Sequence, residues 1–181
     1  MYPEIGICGL SCRLCPRYYT VGTSKCDGCK SASRMAAGCP FITCALKNRG
    51  IEFCWQCTQH GSCEKWHKHR AFGAEHDSFK CYQKLEDNIG YISRNGLGAF
   101  KAAQDVREQL LGEMLKEFNE GRSKSYYCIA ATVLEIGELE GALAQARAAS
   151  AQLAIKDKSR LLHLLLDEIA EDGSYYLKLR K

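Results

Sequence analysis

Ten of the chain's twelve cysteines (Cys8, Cys12, Cys15, Cys26, Cys29, Cys39, Cys44, Cys54, Cys57 and Cys63) fall in the first 63 residues, and only Cys81 and Cys128 lie beyond them. That segment is about 16% cysteine, above the roughly 8–10% at which a short secreted chain reads as a disulfide scaffold. The opening MYPEIGICGL has no basic stretch followed by an apolar run of the secretory kind. The expected compartment is therefore the reducing cytoplasm, where dense cysteine pairs point to metal ligation and not to disulfides. No apolar run approaches the roughly 18 residues a membrane span needs, so a soluble protein with no membrane partner is expected.

Three pairs carry a two-residue spacer: Cys12/Cys15, Cys26/Cys29 and Cys54/Cys57. A tight turn at this spacing lets two sulfurs reach one ion while backbone N–H groups in the turn point back at the thiolates. In KCDGCK, Gly28 supplies the permissive backbone that such a turn wants. Cys12, Cys15, Cys26 and Cys29 form a two-knuckle set of the zinc-ribbon type, with a loop shorter than usual. A second set is Cys44, Cys54, Cys57 and Cys63, or the same with Cys39 in place of one of them. Two tetrahedral sites use eight thiolates, which leaves two spare. Cys8 and Cys39 are candidates because neither belongs to a two-spaced pair, although ligand use interleaved between the sets is equally allowed. Cys81 and Cys128 sit among apolar neighbours at helical spacing and read as core residues.

Zinc, about two ions, is the favoured metal, because all-thiolate tetrahedral sites suit it and can hold together a module with little apolar core. The alternative is a 4Fe-4S cluster, suggested by the opening Cys-x3-Cys-x2-Cys and by Pro16 and Pro40 directly after Cys15 and Cys39. The same opening spacing serves radical S-adenosylmethionine enzymes. Those need a large parallel α/β barrel, whereas the residues here continue as loops, more cysteines and then helices.

The order CGLSCRLCPRYYT, CDGC, GCPFITCALKNRGIEFCWQC and CEKW resembles domain-of-unknown-function family 3795 of bacteria and archaea. The similarity is best over residues 6–70, and the helical remainder with its closing LKLRK resembles the longer members. The resemblance implies a small protein presumed to bind metal, usually taken to be zinc, with all ten cysteines of the cluster matching the pattern. It implies no catalytic residue.

Residues 1–84 hold 12 Lys and Arg against 6 Asp and Glu, whereas residues 85–181 hold 13 against 15. A basic cysteine-rich module suggests a nucleic-acid finger. Metal-bound thiolates carry negative charge, however, and Arg13, Arg17, Lys25 and Lys30 sit where they can balance it. The segment EKWHKHR (Glu64 to Arg70) is the best nucleic-acid contact candidate, since it joins an aromatic ring to cations. His67 can replace a cysteine at a mixed site. With ten thiols at hand, though, His60, His67 and His69 read as solvent-facing side chains, and His76 and His163 belong to no constellation.

Beyond the cluster the apolar period becomes helical. Phe79, Tyr82, Leu85, Ile89 and Ile92 make one stripe, with Asp77 or Ser78 as N-cap and Asn95-Gly96 as stop. Phe100, Val106, Leu110, Met114 and Phe118 make a second, ending at Gly121, with Asp105, Glu108, Glu113 and Glu117 on the wet side. A third helix is expected from about Ser125 to Ala149, with Tyr126, Ile129, Val133, Ile136 and Leu143 apolar. A fourth runs through Leu161, Leu162, Leu165 and Ile169 to Gly173, starting near Asp157 or Ser159, and SYYLKLRK reads as a short strand or a basic tail. Gly137 and Gly141 permit close helix packing but form no phosphate loop. The junction NEGRSKSYYC sets Arg122, Ser123, Lys124 and Ser125 before a helix start. It reads either as a capped, solvated loop or as a place to hold a phosphate or carboxylate.

The expected fold is mainly α: a cysteine-rich, metal-stabilised, zinc-ribbon or knuckle-like module over residues 1–75 and an α-helical domain of about four helices over residues 76–181. The expected function is metal-dependent structural integrity serving a binding role, for a protein partner first and nucleic acid second. Sites with four thiolates keep no open coordination position, which speaks against hydrolytic chemistry. The rivals are iron-sulfur electron transfer or redox enzymology, and thiol or persulfide chemistry at a spare cysteine such as Cys8 or Cys39.

Overall fold

A computed structural model describes residues 1–36, 39–75 and 83–179. The chain is mainly helical, and among the described residues the only extended pairing is an isolated bridge between Ile5 and Ser11. It divides into two compact units, Met1–Phe100 and Lys101–Leu179. No helix of the described residues is long and apolar enough to cross a membrane.

The first unit is built from turns and short helices because its cysteine-rich segment lacks the apolar stripe that a long helix needs. Its helices are α1 (Ala32–Ala36), α2 (Pro40–Ile42), continued as a π-wound turn over Thr43–Asn48, and α3 (Glu64–Glu75). Single 3-10 turns stand at Cys12–Leu14, Cys54–Gln56 and His60–Ser62. The apolar side chains gather in two small cores. Ile5, Phe53, Ile92 and Phe100 make one, with Trp55 stacked on Phe53 at 4.4 Å. Ile7, Ile42 and Ala45 make the other. A buried cation closes the first core: Lys30 Nζ lies 3.9 Å from the Phe53 ring centre and donates to Glu52 Oε1 at 2.6 Å and to the Tyr2 carbonyl at 2.9 Å.

Helix α4 (Leu85–Glu117) begins in the first unit and ends in the second. Gly96, at φ 82° and ψ 164°, divides it into two helical stretches, at the stop expected from Asn95-Gly96. Only glycine reaches this conformation without a Cβ penalty. The first stretch docks on the Cys8 loop, where Asn88 Nδ2 donates to the Gly9 carbonyl at 3.1 Å. Phe79, Tyr82 and their proposed caps Asp77 and Ser78, like Cys81 and His76, lie outside the described residues.

The second unit packs the end of α4 with α5 (Lys124–Val133), α6 (Ile136–Ser150) and α7 (Ile155–Asp172). Leu110, Met114 and Phe118 face inward as their spacing predicts, and Cys128 is fully buried. Two expectations are corrected. Val106 is 39% exposed while Arg107 is buried at 9%. The helix expected from Ser125 to Ala149 is two helices, α5 and α6. A single interaction accounts for both, since Arg107 donates to the Ala131 and Leu134 carbonyls that α5 leaves unpaired at its C-terminal end. A buried guanidinium there satisfies orphan acceptors and complements the helix dipole. Leu134 and Glu135 are extended, and Glu135 with Glu138 forms a reciprocal capping box that starts α6. Residues 174–179 form no strand, and Leu177 is buried.

Polar side chains on α5 and α7 bind one another across the helices. Tyr127 O–H donates to the Phe118 carbonyl at 3.1 Å, and its oxygen lies 3.0 Å from Ser159 Oγ. Tyr126 O–H donates to Asp167 Oδ1 at 2.7 Å, and its ring stacks on His163 at 3.8 Å. Burial holds His163 below its ordinary value, against the pull of Asp167 and Glu120 and together with the push of Lys178. The unfolded chain therefore protonates this ring at a higher pH than the folded one does. Stability linked to the neutral ring is complete above the unfolded value of about 6.5 and is lost as pH falls through the folded value.

Replacing Tyr127 with Phe strands a buried carbonyl and is expected to cost about 1–3 kcal/mol in urea unfolding followed by far-UV circular dichroism. In the same assay the wild-type chain should lose more stability than His163→Gln does between about pH 7 and pH 5. Equal losses in the two proteins would contradict the assignment of a half-buried neutral ring.

Candidate metal centre

Each cysteine turn is shaped by its own backbone. Cys15 N–H reaches the Cys12 carbonyl at 3.2 Å, and Cys57 N–H reaches the Cys54 carbonyl at 3.1 Å, so both pairs close a tight turn. The same geometry recurs where Cys63 N–H meets the His60 carbonyl at 3.2 Å. In the third pair the turn passes through Gly28 at φ +107°, where a Cβ would stand 3.1 Å from the Pro3 carbonyl and 3.7 Å from Cys12 Cβ. That geometry aims Cys29 N–H at Cys12 Sγ, 3.3 Å away. Such N–H to sulfur contacts orient and stabilise thiolates in cysteine metal sites.

The turns are tied together. Cys26 N–H donates to the Arg17 carbonyl at 3.0 Å, which returns the chain to the first knuckle, and Cys54 N–H donates to the Ile7 carbonyl at 2.9 Å. The second link sets the loop carrying Cys8 beside Cys54.

Their mutual electrostatics define neighbourhoods. Cys12 feels Cys29 and Cys8, and Cys15 feels Cys26 and Cys29, which joins the four thiols of the two-knuckle set. Cys54 feels Cys8, Cys63, Cys44 and Cys39. Cys8 belongs to both groups, since it also feels Cys29 and Cys39. Burial first, and these neighbours second, push the Cys8 and Cys54 thiols up to about 12. Cys15 is raised mainly by burial, whereas Cys12 is raised first by its hydrogen bond with Cys29 and then by burial. A cation placed among such groups inverts this balance and favours the thiolates.

Two cavities open among these sulfurs. One, of about 420 Å³, is lined by Cys44, Cys54, Cys57 and Cys63 together with His60. The other, of about 260 Å³, is lined by Cys8, Cys29 and Cys39. Among the described residues no three His, Cys, Asp or Glu side chains converge closely enough to hold an ion as they stand. The donor set nonetheless suits a soft or borderline cation, and one further atom does too. His60 Nε2 is buried with no hydrogen-bond partner, in the same cavity as four cysteines.

His60 is therefore a residue that spacing alone undervalued, since it reads there as solvent-facing. His67 does lie at the surface, with Nε2 3.1 Å from the Gly61 carbonyl, while His69 packs on the Phe41 ring at 4.8 Å. Arg49 also escaped the sequence reading, and it donates to Cys57 Sγ at 3.2 Å and to Gln59 Oε1 at 2.7 Å. Of the cations expected to balance sulfur charge, Lys30 is engaged with Glu52, although Cys12 still acts on it. Trp66, the ring of the EKWHKHR segment, is buried at 6% against Phe41 and His60, so it offers no open face for stacking on a base.

Residues 4–68 match the model of a family described as a protein of unknown function (DUF3795), which agrees with the resemblance carried by the cysteine order. No curated protein and no solved structure matches the chain.

Both tryptophans, Trp55 and Trp66, lie in the first unit, so their fluorescence reports its unfolding. Gly28→Ala is expected to destabilise this unit by about 1–3 kcal/mol, because it combines a positive φ with a close carbonyl. Gly61→Ala, where a Cβ meets nothing within 4 Å, serves as the neutral comparison. Equal stability of the two variants would show that the Gly28 turn is not a constraint on the fold.

Proposed function

From the match of residues 4–68 to the model of this family of unknown function, we propose that the protein is a metal-binding protein. In this reading residues 1–75 are the metal module and residues 76–181 a helical domain. Eight of the ten cysteines Cys8, Cys12, Cys15, Cys26, Cys29, Cys39, Cys44, Cys54, Cys57 and Cys63 supply the ligands for about two zinc ions, with four thiolates at each tetrahedral site. The observation that carries it is the Cys12 to Cys29 knuckle, in which a glycine turn directs the Cys29 N–H onto the Cys12 sulfur. The metal's part is to stabilise a segment with only two small apolar cores. Closed four-thiolate sites leave no position for a substrate, so the role is binding and not hydrolysis, with a protein partner favoured. The buried ring of Trp66 weighs against nucleic acid as that partner.

The thiol neighbourhoods and the shared cavity support a division of ligands: Cys12, Cys15, Cys26 and Cys29 at one site and thiols of the Cys8, Cys39, Cys44, Cys54, Cys57 and Cys63 group at the other. The orphaned His60 Nε2 is a reserve donor for the second, since zinc accepts imidazole as readily as thiolate.

Elemental analysis with a visible spectrum, on protein purified without oxygen, tests this reading. About two zinc per chain and no colour are expected. Iron with matching acid-labile sulfide and absorption in the visible would replace it with the iron-sulfur reading that Cys8, Cys12, Cys15 and Pro16 suggest. Cys12→Ser and Cys29→Ser should each lose about one metal ion and lower the unfolding midpoint of tryptophan fluorescence, because metal binding is folding free energy. Full metal content in both variants would remove these residues from the ligand set.

A further inference from the structure

The junction NEGRSK, which joins α4 to α5, meets the first two turns of α7 around a cavity of about 600 Å³ in the second unit. Three cations, Arg122, Lys156 and Arg160, stand exposed around it. Arg122 and Lys156 make no ion pair with a described residue, and Arg160 makes only an exposed contact, 3.7 Å from Asp157. Surface cations left in this state around a concavity keep their charge available to a ligand.

The floor is polar and organised. Ser123 and Ser159 are 3% and 4% exposed, and their hydroxyl oxygens lie 3.1 Å apart. Both hydroxyls donate to Glu120 Oε2, at 2.6 and 2.7 Å, and Arg122 N–H donates to Glu120 Oε1 at 3.2 Å. Each hydroxyl has one proton, so with both directed at Glu120, His163 supplies the Nε2–H that meets Ser123 Oγ at 2.8 Å. Glu120 is the one carboxylate of the lining, and its charge is already spread over three donors. The lining therefore carries three positive charges against one hydrogen-bonded carboxylate, a net positive balance, with Ile155 as an apolar wall.

We infer that this cavity binds a small molecule bearing a multiply charged oxyanion, phosphate or carboxylate. Two guanidinium forks and an ammonium recognise that group by charge-assisted hydrogen bonds, which are the strong ones. The side chains of Arg122 and Arg160 make the principal contacts, and the Ser123, Ser159, His163 and Glu120 network holds the floor rigid beneath them. The site is separate from the cysteine cluster and needs no metal, so its failure would leave the metal reading untouched.

Calorimetric titration of the full chain with inorganic pyrophosphate and with citrate, at ionic strength held constant with sodium chloride, is the test. Saturable one-to-one binding of at least one of them is expected, weakened about tenfold or more in the Arg122→Ala, Arg160→Ala double variant. A Lys101→Ala, Lys116→Ala variant removes the same charge from residues outside the cavity lining and should bind within about twofold of wild type. The His163 ring signals in the proton spectrum, assigned by their absence in His163→Gln, should move on saturation. The inference falls if neither anion binds saturably, if both double variants weaken equally, or if binding leaves the His163 signals in place. Circular dichroism of each variant confirms that its helices are intact before binding is compared.

Discussion

Three tight turns, each closed by a cysteine N–H on the carbonyl three residues earlier, govern the first 63 residues. A segment with this many thiols and this few large apolar side chains cannot rely on burial alone. Its backbone hydrogen bonds must be made locally, and the turns make them, two of them linking the paired cysteines Cys12/Cys15 and Cys54/Cys57. Gly28 extends the same logic to the third pair, where only a glycine fits beneath the Pro3 carbonyl. The two small cores around Phe53 and Ile42 are then sufficient to hold the turns together.

In the second unit the corresponding constraint is Arg107. A guanidinium inside a helical core is costly unless its donors find acceptors. Here the acceptors are the carbonyls that α5 exposes at its end, so one side chain answers the needs of two groups. The chain turns at Leu134 and Glu135, and α6 lies back on α4, where Arg147 donates to both Glu113 and Glu117. The antiparallel return that follows brings Ser159 and His163 of α7 against Ser123 and Tyr127, which is why a polar network survives within a helical core.

The helical class, the stop at Gly96, the inward stripe of Leu110, Met114 and Phe118, and the core position of Cys128 were legible from period and turn chemistry. Arg107 was not, because a periodic reading assigns long cations to solvent, and only a neighbouring helix end makes burial favourable. The division of α5 from α6 was hidden for the same reason. Its signal, Glu135 three residues before Glu138, is a weak capping pattern that the apolar run around it masks. His60 shows a similar limit at the metal centre: three residues from Cys57 and Cys63 it looks like a surface residue, and the turn buries its ring nitrogen.

The sequence by itself determined that the first third is organised by paired thiols and the remainder by helical stripes, since spacer length and apolar period act within a few residues of the chain. Tertiary structure decided which thiols become neighbours, placing Cys8 between the Cys29 and Cys54 groups. It also decided that Arg122, Ser123, Ser159, Arg160 and His163, which lie up to 41 positions apart, surround one cavity. Such meetings depend on how helix ends and turns pack, and packing at long sequence separation leaves no periodic trace in the residues that take part.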